Sequence, residues 1–531
     1  ESNVKWKVNV RIYYLDITFT DSLGRTLPIN PERIELRDPL GRMVEYVIGE
    51  PLRVAPGGYE LASIIWQGSP VTPLSGKEII VTDSDVKVEV SCSIAPLTIE
   101  FTDYEGEVGI GNVMAKIRAP NGTVIDVVSE DTSYRIEYAQ EGTWTIVEAT
   151  WGGIDVTPSE TTLEFTGTEE ATWPLNLKIY KLTFKFHDSK GRELETPPSS
   201  MGVILPNGTK TNIRTYTIYV QQGKITLTNV IWMDVNVAPE KTISLRVSKP
   251  LEIEVPCRVY SITITALDSM EKPLAKAEVV VTYPNGDEKV YETNEDGKIT
   301  IDQLPIGDYT ITVKWHKVNV REEELTITKD SKLSLECKVY YLTFTFIDYN
   351  EEPLEGINVK IIDPTGNELE LKADENGKAS LKQIPMGTYT VEAYWKKVKV
   401  LSKEVEVSDN ERLEMKCKVY NLVVKVKDSL GFAVDGASVR LYTEEGRLFE
   451  ETETRNGGYA EFKQIPVGNY VVEASAIGSS SESIMLNKGM ERTITVPLST
   501  TSLMIIAAAI IAIPVGIIVL KKRRKRVAKE V

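Results

Sequence analysis

The chain has 531 residues, of which 42% are hydrophobic and 26% charged, with a formal net charge of −16. That length exceeds what one hydrophobic core can serve, so several domains are required, and the acidic balance excludes a nucleic-acid-binding role. The charge is unevenly placed: Lys521 to Val531 carry seven bases and one acid, which leaves the rest near −22 once that +6 is removed.

The chain opens on Glu1 without an apolar stretch, which fits a cleaved signal peptide or a shortened chain. ESNVKWKVNVRIYY repeats the alternation of KLSLECKVYY at Lys332. Three readings are open for it: the first strand of the first domain, a strand donated to a neighbouring subunit, or the trace of further domains.

From there a strand start recurs six times, as YYLDITFTD ending at Asp21, APLTIEFTD at Asp103, YKLTFKFHD at Asp188, YSITITALD at Asp268, YYLTFTFID at Asp348 and YNLVVKVKD at Asp428. The spacings are 82, 85, 80, 80 and 80 residues, which suits a seven-stranded sandwich. Val, Ile, Thr, Tyr and Phe alternate with Lys and Glu throughout, the period of half-buried strands. Each marker Asp opens a turn (DSLG, DYEG, DSKG, DSMEKP, DYNEEP, DSLG), where its carboxylate can accept a backbone N–H two residues on; calcium ligation is the weaker alternative. About seventeen residues later a hairpin tip follows: DPLG at Asp38, PNG at Pro120, Pro206 and Pro284, DPTG at Asp363 and EEG at Glu444. The Asn-Gly tips favour tight primed turns.

The last three copies continue as NEDGKITIDQLPIGDYTITV from Asn294, DENGKASLKQIPMGTYTVEA from Asp374 and RNGGYAEFKQIPVGNYVVEA from Arg455. A D/N-G turn, a strand, an L/I-P-x-G loop and a G-x-Y strand resemble the carboxypeptidase regulatory-like and collagen-adhesin B-type domains, which are transthyretin-like, Ig-like sandwiches. The resemblance covers residues 258–498; the first three copies keep only the glycine step at Gly57, Gly142 and Gly223. It implies an all-β rod of six tandem sandwiches on a cell surface, and by itself chooses no function. The expected domains are 1–92 (with an extra N-terminal strand), 93–177, 178–257, 258–337, 338–417 and 418–499. Composition rich in Ile, Val, Glu and Lys suggests a thermophilic, archaeal source.

Trp66, Trp151, Trp232, Trp315 and Trp395 recur at one place, with Ala476 nearby in the sixth copy. Core or inter-domain packing is the simple reading, and sugar stacking at Trp66, Trp151 and Trp232 the functional one. Cys92, Cys257, Cys337 and Cys417 sit at equivalent positions on final strands, one per domain, which excludes disulfides inside a domain and leaves them as small hydrophobes. The B-type resemblance raises the question of Lys-Asn isopeptide bonds, but the final strands LEIEVPC and RTITVPL, paired with Lys185 and Lys425, hold no Asn, so none is expected.

Only His187 and His316 are present, and no phosphate loop, nucleophile elbow or zinc-protease motif occurs, so neither an enzyme nor a cofactor or metal is expected. Asn121 and Asn207 begin Asn-Gly-Thr sequons on predicted hairpin tips and are glycosylation candidates.

Leu503 to Leu520 holds eighteen uncharged residues, long enough to cross a bilayer as a helix, followed by the basic run Lys521, Lys522, Arg523, Arg524, Lys525 and Arg526. The positive-inside rule places residues 521–531 in the cytoplasm and everything before residue 503 outside a plasma membrane. The expected protein is a single-pass surface stalk or adhesin. Its divergent first three domains, with loops QGSPVTPLSG and WGGIDVTPSE, would meet a surface layer, a neighbouring cell or a membrane complex. A carbohydrate- or solute-binding protein and an accessory subunit of a membrane complex are the alternatives.

Overall fold

A computed structural model describes residues 5–527. The described residues form β-strands and one helix, Thr500–Val527. The strands build twelve sheets, alternately of three strands and of four or five. The chain divides into two compact units: Glu1–Ser261 with Asp302–Gly307 and Ile327–Asp330, and Ile262–Ile301 with Asp308–Thr326 and Ser331–Val531.

The repeat at residues 339–416, in the second unit, shows how sequence makes the fold. Its first strand, Val339–Ile347, turns Leu342, Phe344 and Phe346 inward and Tyr341, Thr343 and Thr345 outward, as two-residue periodicity demands. This strand lies between Lys378–Pro385, which runs antiparallel to it, and Glu411–Lys416, which runs parallel. The facing sheet orders Glu368–Lys372, Asn358–Ile362, Gly387–Trp395 and Val398–Val407, all antiparallel. Between the sheets Phe344, Phe346, Val359, Ile361, Tyr389, Val391 and Met415 make one core. Complete burial of a side chain such as Phe344 contributes about 2–3 kcal/mol. The closing strand matters because its parallel pairing to the first strand carries the chain to the far end of the sandwich, ready to leave it.

Two families of repeat emerge. The fourth to sixth have a continuous sixth strand: Val318–Ile327, Val398–Val407 and Ser479–Leu486. In the first three it is broken into Ser69–Pro70 and Glu78–Val81, Ile154–Asp155 and Thr162–Phe165, and Val235–Asn236 and Ser244–Val247. The interruptions are the Gly/Pro-rich loops expected to serve recognition. Each drives a valine into its core, since Val71, Val156 and Val237 are buried.

Three expectations require correction. Lys5–Ile12 pairs with no strand, and the first strand begins at Tyr13, so no extra strand forms in the first sandwich. The Asn-Gly tips are not primed turns: Gly122 and Gly208 have φ of +83°, while Asn121 and Asn207 are absent from the left-handed region. Gly122 N–H closes onto the Ala119 carbonyl at 2.9 Å, a type I turn with Pro120 second and Gly122 fourth. Proline's fixed negative φ at the second position excludes the primed form. Finally, the cysteines lie just past the closing strands, as at Cys337 after Ser331–Glu336, and belong to the connection between repeats.

Gly377 shows how tightly the turns are built. It sits at φ +68°, and a Cβ there would lie 2.5 Å from the Phe346 carbonyl oxygen. Gly366, at φ +86°, faces open space. Gly377→Ala should therefore destabilise its sandwich by at least about 2 kcal/mol and Gly366→Ala by about 1 kcal/mol, read as faster amide exchange confined to residues 339–416.

Candidate functional site: the joints inside each unit

The described residues hold no group of three or more His, Cys, Asp or Glu placed to share an ion. What recurs is a joint. After each closing strand the chain takes one tight turn and enters the next first strand. Cys337 N–H donates to the Leu267 carbonyl (2.8 Å), and Val339 N–H turns back onto the Cys337 carbonyl (2.8 Å), an inverse γ-type connection.

The residue between them bonds both ways. Lys338 N–H donates to the Val320 carbonyl of the sandwich behind (3.0 Å), and its own carbonyl accepts from Met386 N–H of the sandwich ahead (3.0 Å). Lys418 repeats this with the Val400 carbonyl and Val467 N–H, both at 2.9 Å. In the first unit Ser93 does so with Thr72 and Glu141, and Lys178 N–H donates to the Val156 carbonyl. Thr72 and Val156 lie in the interrupted loops, so those loops serve the joints they adjoin.

The thiols line these connections as apolar filler. All four are buried and unoxidised, each with its sulfur near the carbonyl two residues earlier (Cys417 at 3.5 Å from the Met415 oxygen). Burial pushes each thiol up to about 12, so none is a nucleophile at neutral pH.

Side chains fasten the joints further, through the marker Asp. In each repeat it is buried, and its Oδ1 holds the turn: Asp268 accepts from Met270 N–H (2.8 Å) and Lys272 N–H (2.9 Å). That is the turn chemistry expected from sequence. At Asp268 the other oxygen reaches outward. Asp268 Oδ2 accepts from Tyr341 Oη (2.6 Å) and Gln383 Nε2 (3.0 Å), both on the following sandwich. Gln383 also donates to the Pro273 carbonyl (3.2 Å), and its main-chain oxygen receives Trp315 Nε1–H (2.6 Å). Gln383 sits at φ +50°, an irregular step between strands that aims its side chain and carbonyl backward together. Gln464 does the same in the next repeat, holding Trp395 Nε1–H (2.7 Å) and the Pro353 carbonyl (3.1 Å). There Asn421 replaces the tyrosine, and Asp348 Oδ2 is buried without a donor.

In the first unit Arg25 binds Asp21 Oδ2 (2.7 Å), and both Glu137 Oε2 (3.2 Å) and the Glu137 carbonyl (2.9 Å) across the joint. Trp151 carries its joint by its main-chain oxygen, which accepts from Gln221 Nε2 (3.0 Å).

The sixth marker has no sandwich ahead of it. Asp428 Oδ2 instead accepts from Ser499 Oγ (2.5 Å) and Ser502 Oγ. Ser499 caps the helix, its Oγ accepting from Ser502 N–H (3.0 Å) and its carbonyl from Leu503 N–H (2.9 Å). Burial raises the Asp428 carboxyl, but the two hydroxyls and the turn N–H groups outweigh it and hold it below the usual aspartate value.

The sequence-derived candidates fall as follows. Trp66 and Trp232 are 1% and 4% exposed and donate to the carbonyls of Ile29 and Thr196, so neither offers a face for a sugar. Trp151, half-buried, donates to the Gly111 carbonyl (3.1 Å). Asn121 is half-buried, its Nδ2 donating to the Gln67 carbonyl of the preceding sandwich (2.7 Å), whereas Asn207 is exposed. Lys521, Lys522 and Arg523 extend the helix exposed; the side chains of Arg524, Lys525 and Arg526 lie outside the described residues. Gln383 and Gln464 escaped the sequence reading, although K-Q-I-P recurs in both copies.

Comparison with known proteins agrees with this domain class. Residues 260–332 and 341–418 match the prealbumin-like fold domain, and residues 421–499 match the carboxypeptidase regulatory-like domain. This stretch is a tandem of related β-sandwich domains. Among curated proteins, the serine-aspartate repeat-containing protein D of Staphylococcus aureus (strain Newman) is 26% identical over 266 residues, 38% of this chain and 20% of that protein. A fibrinogen-binding protein of Staphylococcus epidermidis is 28% identical over 153 residues, 23% of this chain and 14% of that one. The chain thus spans a fifth or less of the length of these relatives. Among solved structures, the minor pilin of Streptococcus agalactiae is 17% identical, covering 30% of this chain and 95% of the pilin, with a TM-score of 0.21.

Removing the Tyr341 hydroxyl or the Gln383 amide should weaken that joint by about 1–3 kcal/mol each, seen as faster exchange at Ser269 and Met386 with the cores unchanged. The joint should also respond to pH at both ends. Although burial pushes Asp268 up, its hydrogen bonds from Tyr341, Lys272, Gln383 and Met270 prevail and lower it. Its contribution is present above the free aspartate value of about 4 and is lost as pH falls through the depressed one. Tyr341 is pushed up to about 12 by burial and by Asp268. Its contribution holds below pH ~10 and fades as pH rises toward the raised value, a loss that Tyr341→Phe abolishes in amide-exchange profiles.

Proposed function

We propose that this chain is a membrane-anchored extracellular stalk of adhesion type, acting without catalysis. Its tandem sandwiches hold the first three repeats away from a bilayer for contact with a protein partner. The carrying observation is that the repeats are spliced, with no flexible linker inside either unit. One residue at a joint is shared by two sandwiches, and at Asp268 a buried carboxylate also bonds the next. The Asp428 contact to Ser499 and Ser502 extends the same device onto the apolar helix.

That helix supplies the anchor in this reading. Ser502–Arg523 has a mean hydropathy of 3.0 and no buried share, so its apolar surface has no protein to cover it. Such a surface is at home in lipid. The basic run after Leu520 favours a cytoplasmic tail on a single-pass plasma-membrane protein, with the sandwiches outside. The fibrinogen-binding relative supports a protein as the partner class. The buried Trp66 and Trp232 count against a glycan-stacking role. Of the two sequons, Asn207 has room for a glycan, while one on Asn121 would crowd the Gln67 contact.

The test uses intact cells expressing the full chain behind a secretion signal. A membrane-impermeant lysine reagent added outside should label the sandwiches and leave Lys521 and Lys522 unlabelled, and the purified protein should give no saccharide-dependent signal on a glycan array. Protection of the sandwiches would reverse the orientation, and selective saccharide binding would replace the stalk with a lectin-like reading.

A further inference from the structure

Lys5–Ile12 leaves the first sandwich as an arm that pairs with nothing among the described residues. Its apolar side chains all face solvent: Trp6 is 85% exposed, Val8 76% and Val10 68%. Three apolar residues at alternate positions describe one face of a strand, and nothing in the first sandwich covers that face.

The repeat shows what does cover it. Lys5 to Leu15 (KWKVNVRIYYL) aligns without gaps on Lys332 to Leu342 (KLSLECKVYYL), and on Arg412 to Leu422 (RLEMKCKVYNL). Trp6 stands at the place of Leu333, Val8 at that of Leu335 and Val10 at that of Cys337. Leu335 and Cys337 are 1% and 2% exposed, and Leu333 is half-buried, because Ser331–Glu336 closes its sandwich by parallel pairing to Val259–Leu267. Arg11 holds the place of Lys338 and Lys418, the residue shared by two sandwiches. The arm therefore carries the pattern of a closing strand and of the joint after it.

The first sandwich also keeps the surface that receives a neighbour. Tyr14 stands where Tyr341 stands, and its N–H is held by Asp85 Oδ1 (2.9 Å) as that of Tyr341 is held by Asn410 Oδ1 (2.8 Å). Tyr341 gives its hydroxyl to the Asp of the preceding repeat, whereas Tyr14 is 44% exposed.

We propose that Lys5–Val10 is the closing strand of a further sandwich of this same repeat, carried directly ahead of the first on one polypeptide, with the face around Tyr14 as its docking surface. A second copy of the chain is a poor occupant. Each of the six sandwiches already has its closing strand in a parallel ladder, so none offers a vacancy. The partner must supply a first strand parallel to the arm, a core face that accepts Trp6 and Val8, and a turn carboxylate within reach of Tyr14 Oη.

A graft tests this on the full chain in detergent. Val259–Asp330, the fourth repeat without its closing strand, is joined directly ahead of Val4. Proteinase K should digest the graft at least about tenfold more slowly than in the same protein carrying Trp6→Lys and Val8→Lys, with the six original sandwiches equally resistant in both. A control graft that retains its own Ser331–Cys337 should be protected regardless of those substitutions. Equal digestion of the two arm-dependent grafts, with the control protected, overturns the proposal. So does light scattering in which the ungrafted chain is a dimer that Trp6→Lys with Val8→Lys dissolves, since the arm would then serve a second copy; a mass unchanged by the substitutions is expected.

Discussion

Everything in this architecture depends on the parallel pairing of each closing strand with the first strand of its own sandwich. Were the last strand antiparallel to the first, it would return the chain to the end where it began. Parallel pairing instead delivers it to the end where the marker Asp turns, and there two residues suffice to start the next repeat. Once the connection is that short, its N–H and C=O cannot be left to solvent without cost, and they are shared between two sandwiches. Stiffness at a joint then follows from backbone chemistry before any side chain is considered. The interrupted loops of the first three repeats fit this logic, because they supply the carbonyls that the joint residues need.

The side chains at the joints obey a division of labour within one carboxylate. Oδ1 is committed to two turn amides in the same sandwich, so the carboxylate is fixed in place. The partners of Oδ2 differ among repeats: at Asp21 an arginine of its own turn that also holds Glu137, at Asp268 a tyrosine with a glutamine of the next sandwich, at Asp428 a pair of serines at a helix start, and none at Asp103 and Asp348. A buried anion with a donor is worth keeping, whereas one without a donor is a weak point. The joint at Asp348 compensates in other ways, through stacking of Tyr349 on Tyr420 at 4.8 Å and the ion pair Lys396–Glu450 at 2.9 Å. The exposed ion pair adds little, which leaves the backbone bonds and the Trp395–Gln464 contact as the main ties there.

Much of the fold was legible because it is written in periods. The beat of about eighty residues, the two-residue alternation within strands and the eighteen uncharged residues before a basic run each follow from a single geometric requirement. What escaped was local detail that one sequence position cannot display. The Asn-Gly tips invited a primed turn, but the proline before them fixes φ and forces a type I turn with glycine fourth. The tryptophans recur at one place yet divide in role. Trp66, Trp151 and Trp232 donate within their own sandwich, while Trp315 and Trp395 donate across a joint to the main-chain oxygens of Gln383 and Gln464. Nothing in a K-Q-I-P stretch announces that its glutamine is left-handed and aimed backward, since polar residues on strands ordinarily face water. Asn121 lies on the hairpin tip that the sequence indicates, but a tip exposed in an isolated sandwich is half-covered once the joint forms.

The sixth repeat shows why one module can end as well as continue the series. At Asp268, in mid-series, Oδ2 meets the Tyr341 and Gln383 side chains of the next sandwich. At Asp428 the partner is a helix terminus, whose first N–H groups have no acceptors of their own. Ser499 meets some of that need as the cap, and Asp428 in turn holds Ser499 and Ser502, so the carboxylate acts on the helix through the cap. A negative charge beside a helix N-terminus is favoured by the aligned peptide dipoles, which adds to the hydroxyl bonds. The same buried aspartate can thus join a sheet to a sheet or a sheet to a helix without any change in its own turn. Because it holds the cap serines directly, the start of the apolar helix is tied to the sixth sandwich.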